Sequence, residues 1–197
     1  MRTTAKEVFF MEKIKAIFVD SWQELKHVKT LVITAMFIAL GVILGFFFSI
    51  QITDSLRLGF SFIANEMTAL LFGPVVGGIM GGITDILKFI IKPTGPFFFG
   101  FTLNAILGAV IYGIMFYKQP ISFRRILLTK IIVSIIVNVC LGTLWVSMLY
   151  GKGFLLLLPM RVIKQCFSVP VESFLFYLVA KMLSEAKVLQ MMKVKTR

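Results

Sequence analysis

The sequence predicts an all-helical protein that crosses a membrane six times. Two observations carry that prediction. The chain is 58% hydrophobic and only 15% charged, whereas a soluble domain is about half apolar and about a quarter charged. Its apolar residues also come in runs of about 15 to 25, the length a helix needs to cross the hydrocarbon core of a bilayer. A third observation gives the orientation. Most of the 21 Lys and Arg residues lie before Leu31, between Tyr117 and Ile126, and after Leu183. Basic residues collect in short cytoplasmic connections, so both termini are expected on the cytoplasmic side of the cell membrane.

The spans follow in order. Residues 1–29 place Phe9, Phe10, Ile14, Ile17, Phe18 and Leu25 at helical spacing, with Lys6, Lys13 and Lys15 among them. This is the pattern of an amphipathic helix lying on a membrane surface, and no apolar core with a cleavage site marks a signal peptide. The membrane domain is expected over 30–185 and a basic cytoplasmic tail over 186–197. The first span is Leu31 to Ile50, without a charge. The second, Leu58 to Phe72, is shorter and ends at Gly73-Pro74, which breaks a helix and turns the chain. The third is Val75 to Ile91, closed by the loop Lys92–Pro96. The fourth, fifth and sixth are Phe97 to Tyr117, Ile126 to Leu149 and Phe154 to Leu183. Pro159 falls in the first turn of the sixth and Pro170 at an expected kink.

Small residues mark where helices meet. Gly77/Gly81 and Gly78/Gly82 are overlapping pairs four apart, and Ala105, Ala109 and Gly113 form a similar ridge. Helices in lipid gain contact by close backbone approach, so the third span is expected to be packed on most sides. Ala35 and Ala39 form another such pair, fitting either packing within the bundle or docking of another subunit.

Ionisable groups within spans are costly and usually mark function. On the sixth span Arg161, Lys164, Gln165, Ser168 and Glu172 fall at i, i+3, i+4, i+7 and i+11, which puts them on one face. That face must look into the bundle. The third span adds Thr84, Asp85 and Lys88. The second adds Ser61 and Asn65 below Arg57, with Glu66 on the opposite side. The fourth and fifth add Thr102, Asn104, Ser134, Asn138 and Trp145. In the outer half Arg57, Lys88, Lys92, Arg161 and Lys164 outnumber Asp54 and Asp85. Such a surplus suits an anionic ligand, and Phe97, Phe98, Phe99 and Trp145 suit a flat ring. The alternative is internal neutralisation, with Asp85 pairing to Lys88 and Arg161 to Asp85 or Asp54.

Several classes are excluded. The net charge of +12 sits in flanks and one loop rather than in an aromatic-laced basic stripe, so nucleic acid is not a partner. Cys140 and Cys166 lie in apolar segments and imply no disulfide framework. No ATP-binding loop, nucleophile elbow or metal-spaced His/Cys set occurs, so no cofactor, metal or catalytic residue is expected.

Four segments together resemble a known family. They are "SWQELKHVKTLVITAMFIALGVIL" (Ser21 to Leu44), "LRLGFSFIANEMTALLFGPVVGGIMGGITDILKF" (Leu56 to Phe89), "GPFFFGFTLNAILGAVIYG" (Gly95 to Gly113) and "LPMRVIKQ" (Leu158 to Gln165). The chain is similar to the folate-specific substrate-binding S components of energy-coupling factor transporters, the FolT family. The resemblance implies a six-helix S component with a vitamin site near the outer surface. It implies as partners a transmembrane T component and two ATPase subunits, which hydrolyse the ATP. It also implies that Ala35 and Ala39, matching the family's Ala-x-x-x-Ala, touch the T component. For the ligand it implies folate, with Asp85 and Asn65 for the pterin edge, aromatics for stacking, and Arg57, Arg161 or Lys164 for the carboxylates. Lys88, Phe98, Phe99, Asn104, Trp145 and Gln165 complete the expected binding set. Phe99-Gly100 departs from the Pro-Gly that related sequences often carry. The alternatives are an S component for another vitamin or a queuosine-type precursor, or a membrane-embedded enzyme acting on lipid or peptide.

Overall fold

A computed structural model describes residues 2–47, 49–53, 56–93, 96–151, 153–186 and 191. It is all-helical apart from one two-stranded hairpin. Helix α1 (Arg2–Glu24) precedes α2 (Val28–Phe47). Strands β1 (Ser49–Thr53) and β2 (Leu56–Gly59) follow, then α3 (Ser61–Ile91) and α4 (Phe99–Phe116). Next comes a single rod of α5 (Phe123–Val133), a π-helical segment Ser134–Leu141, and α6 (Gly142–Tyr150). Helix α7 (Phe154–Glu185) ends the bundle.

Five of these rods are long and apolar enough to cross a membrane. A sixth helix is hidden inside α3. Gly73 has φ +86° and ψ −170°, a region open to glycine and strained for other residues. The chain reverses there. A Cβ on Gly77 would stand 3.1 Å from the Ala69 Cβ, although in a straight helix those positions are about 12 Å apart. The second and third spans are therefore the limbs of one helical hairpin, as Gly73-Pro74 predicts.

The glycine pairs of the second limb pack as expected. Gly77, Gly78, Gly81 and Gly82 are all buried. A Cβ on Gly81 would lie 2.9 Å from the Ala105 carbonyl oxygen of α4, so only glycine lets these two backbones come so close.

Ser21 of α1 secures the reversal. Its hydroxyl donates to the Phe72 carbonyl at 2.7 Å and accepts the Val75 amide at 3.0 Å. Those are backbone groups that a broken helix leaves without partners. Asp20 pairs with Lys118 at 2.7 Å, and Thr30 donates to Glu24 at 3.0 Å. Helix α1 is thus strapped to the bundle end that carries the Gly73 turn, the loop after α4 and the start of α2. Lys29 donates to the Met191 carbonyl, so the described end of the chain lies on the same side.

That end is also where the apolar core sits. Met67, Leu70, Leu71, Phe72, Val76, Phe116, Ile126, Phe176 and Ala180 form one buried cluster. The Phe116 and Phe176 rings stack at 5.6 Å. The opposite half of the bundle is hollow.

One feature differs from the sequence reading. The first span ends at Phe47 rather than Ile50, and the chain goes on as a hairpin with Ile50 opposite Leu58 and Gln51 opposite Arg57. Alternation over two or three apolar residues is too short to separate from a loop. Helix α7 continues through both Pro159 and Pro170.

Replacing Gly73 by Ala should impose about 1–3 kcal/mol of backbone strain, because its φ and ψ lie in a region essentially reserved for glycine. It also drives a methyl group to 2.8 Å from the Ser21 side chain. The apparent melting temperature of the detergent-solubilised protein should fall. An unchanged melting temperature would mean that the reversal does not depend on this glycine.

Candidate ligand-binding site

Among the described residues the hollow half contains three cavities in series. The outermost, about 510 Å³, is lined among others by Lys88, Phe89, Lys92, Phe97, Phe98 and Tyr150. The middle one, about 530 Å³, is lined by Asn104, Asn138, Met160, Lys164 and Gln165 among others. Asp85, Phe101, Val146 and Arg161 line both. The deepest, about 180 Å³, shares Asn104, Ala105 and Asn138 with the middle one and adds Asn65, Glu66, Tyr112 and Glu172. The series descends along α4. From Phe101 to Tyr112 that helix rises about 16 Å.

The walls are fixed by hydrogen bonds between spans. Thr102 donates to Asp85 at 2.8 Å, joining α4 to the second limb of α3. The Trp145 indole donates to Asn104 at 3.0 Å, and its ring leans on Phe98 at 5.7 Å between centroids. Ser134 donates to Gln165 at 3.1 Å. The π-helical segment contributes two carbonyls: Val137 accepts from Asn104 at 3.3 Å and Asn138 from Arg161 at 3.4 Å. A widened turn of this kind often sits at a functional site; here it binds side chains from α4 and α7.

The expected site residues fall into three groups. Asp85, Lys88, Asn104, Arg161, Lys164, Gln165, Phe98 and Asn65 line the cavities, and Trp145 braces them. Phe99 is exposed and lines none of the three. Arg57 lies in β2, its side chain outside the described residues, as is Asp54. Among the described residues Asp85 pairs with neither Lys88 nor Arg161; Asp54, the other expected partner of Arg161, lies outside them. Among the described residues Lys88, Lys92, Arg161 and Lys164 make no ion pair, and Lys88 donates instead to Ser61. The mouth and the middle of the series are therefore cationic.

Sequence reasoning missed the strongest electrostatic feature. Lys130, 2% exposed, lies 2.6 Å from a Glu66 carboxylate oxygen and 3.2 Å from one of Glu172. The Phe62 ring covers its ammonium at 4.2 Å. This cluster links α3, α5 and α7 below the cavities. Glu66 does not face away from Asn65, as expected; both line the deepest cavity. A usable signal was present: Lys130, Ser134 and Asn138 recur every four residues, the spacing of one helix face. A lysine on such an inward face requires carboxylates at its own depth.

The comparisons with known proteins agree with this architecture. The family described as "ECF transporter, substrate-specific component" matches residues 29–180. The chain belongs to that family. It is 36% identical over 165 residues to the folate transporter FolT of Clostridium novyi (strain NT), covering 84% of this chain and 95% of the relative. It is 29% identical over 126 residues to the folate transporter FolT of Leuconostoc mesenteroides, covering 61% and 68% respectively. Its fold is similar to a crystal structure of FolT bound with folic acid. That match has a TM-score of 0.72 and 29% identity, and covers 79% of this chain and 95% of the other. The family match begins after α1, so the strap at the closed end lies outside the matched S-component domain.

Removing one member of a buried ion cluster strands the others, at a cost of about 3–5 kcal/mol. Lys130→Met should therefore lower thermal stability and the yield of monodisperse protein. Replacing Lys130, Glu66 and Glu172 together by apolar residues of similar size should recover most of it. An equally large loss in the triple variant would contradict this account of the cluster.

Proposed function

We propose that this S component binds folate in the cavity series, open at the outer surface, and delivers it to an energising module for ATP-driven uptake. The observation that carries the proposal is the cationic, aromatic-walled cavity in a fold similar to that of a folic-acid-bound relative. Folate has a flat heterocycle, an aromatic linker and a glutamate with two carboxylates. Lys88, Lys92, Arg161 and Lys164 offer partners for the carboxylates. Phe98, Phe101 and Trp145 offer the flat walls.

Delivery rests on the outer face of α2. Ala35 and Ala39 are both exposed, with Leu31, Val32, Met36 and Leu40 around them. They take no part in packing the bundle. A small-residue notch on an apolar face suits a second membrane helix, and we assign it to the T component of a module with two ATPase subunits. In this reading both termini are cytoplasmic and the S component catalyses nothing.

One pair of measurements tests both halves. A charge-assisted hydrogen bond is worth about 1.5–3 kcal/mol, so Arg161→Ala or Lys164→Ala should weaken folate binding about 10- to 100-fold, with little change in expression. Ala35→Leu with Ala39→Leu should leave folate binding by the solitary subunit intact and abolish uptake by the assembled transporter. Unchanged affinity in both cavity variants would remove the ligand role of α7. Loss of binding in the alanine variant would return that pair to packing within the bundle. Tighter binding of another vitamin in competition would reassign the substrate.

A further inference from the structure

Helix α1 is used by the bundle on one side and left open on another. Ile14, Ile17, Phe18, Ser21 and Glu24 are buried or half-buried and recur at helical spacing, which makes them one face. Met11, Lys15, Val19 and Trp22 fall at i, i+4, i+8 and i+11, which makes a second face about a third of a turn round the helix from the first. Its three apolar members are each more than half exposed. Glu12, Ala16 and Gln23 are exposed on the side away from the bundle, and Phe9 is exposed outside the stripe. Apolar side chains aligned on one exposed helix face mark a contact.

Position says what covers that face. Trp22 stands six residues before Val28, where the first helix able to cross a membrane begins. The chain at Trp22 is therefore at the boundary of the apolar layer, the level at which tryptophan collects. Ser21 beside it is bonded to the Phe72 carbonyl and the Val75 amide. The helix cannot swing away from that level without uncapping the Gly73 reversal.

Charge says which surface. Two acids of α1 are already engaged: Asp20 pairs with Lys118, and Glu24 is buried against Thr30. Lys13, Lys15 and Lys26 are exposed and make no ion pair among the described residues, and neither does exposed Arg124 at the start of α5. Among the described side chains of α1, Glu12 is the one exposed, unpaired acid set against them. An apolar stripe bordered by free lysines is the pattern of a helix seated on anionic lipid.

We propose that the face of α1 carrying Met11, Lys15, Val19 and Trp22 docks on the anionic phospholipid surface of the bilayer, its tryptophan among the headgroups and its lysines on their phosphates. The bilayer then covers one side of the helix and the bundle the next, so lipid charge reaches the Gly73 reversal through Ser21. This surface lies outside residues 29–180, the matched S-component domain, and is independent of the folate reading.

The test uses purified full-length protein in nanodiscs of phosphatidylcholine, with or without phosphatidylglycerol. Lipid brominated near the headgroup end of its chains should quench Trp22. The signal is read as the difference between wild type and Trp22→Phe, because the chain has two tryptophans. Phosphatidylglycerol should deepen the quenching and raise the melting temperature by about 2–4 °C. Lys15→Glu combined with Lys26→Glu should remove most of both effects, with the melting temperature in phosphatidylcholine nearly unchanged. An unquenched Trp22 in both lipids would overturn the proposal. So would quenching and a melting temperature that ignore phosphatidylglycerol, or a double variant that keeps the whole rise. A Trp22 shielded only after a T component is added would make this face a protein-docking surface and would overturn the proposal as well.

Discussion

Lys130 sits between two glutamates in the middle of an apolar bundle, and much of the rest is arranged around that contact. An ammonium in hydrocarbon is tolerated only with partners. Here the partners come from different helices, Glu66 from α3 and Glu172 from α7. The cluster therefore fixes the mutual register of α3, α5 and α7 at one depth. On the side of the termini the helices close over a packed core of Phe72, Phe116, Ile126 and Phe176. On the other side they splay around cavities. The ion cluster is the boundary, and both of its glutamates line the deepest cavity.

The closed end needs its own support. The hairpin limb before Gly73 runs from Ser61 for 12 residues, counted from the start of α3 to Phe72, or about 18 Å, well short of a full crossing. The break that ends this limb leaves carbonyls and amides without partners. Ser21 supplies three contacts to that break, one as a donor and two as an acceptor. Helix α1 is thus a cap for the reversal, although its sequence reads as a surface helix. Of its apolar residues Ile14, Ile17, Phe18 and Leu25 are half-buried, while Phe9, Met11, Val19 and Trp22 stay exposed.

The spans, the reversal and the polar lining were legible in the sequence, because each depends on local chemistry. Runs of apolar residues give crossings, Gly73-Pro74 gives the break, and the spacing from Arg161 to Gln165 gives an inward face. The family was legible too, from four segments in order. Pairing across the bundle was not. Lys130 passed as one charge in a long apolar span, and its meaning depends on Glu66 and Glu172, 64 and 42 residues away. The π-helical turn left no pattern of its own, since its residues are those of any apolar helix. Phe99 could not be told from Phe98 by type or spacing; their different exposure comes from the start of α4 between them.

The central claim is that the cavity series, cationic and aromatic-walled at its mouth and middle, receives the ligand. A structure of the protein with folic acid bound tests it most directly. The account predicts the ligand inside the cavity series, with its carboxylates among Lys88, Lys92, Arg161 and Lys164. Folic acid bound outside the cavities, or with its carboxylates away from those four cations, would contradict it.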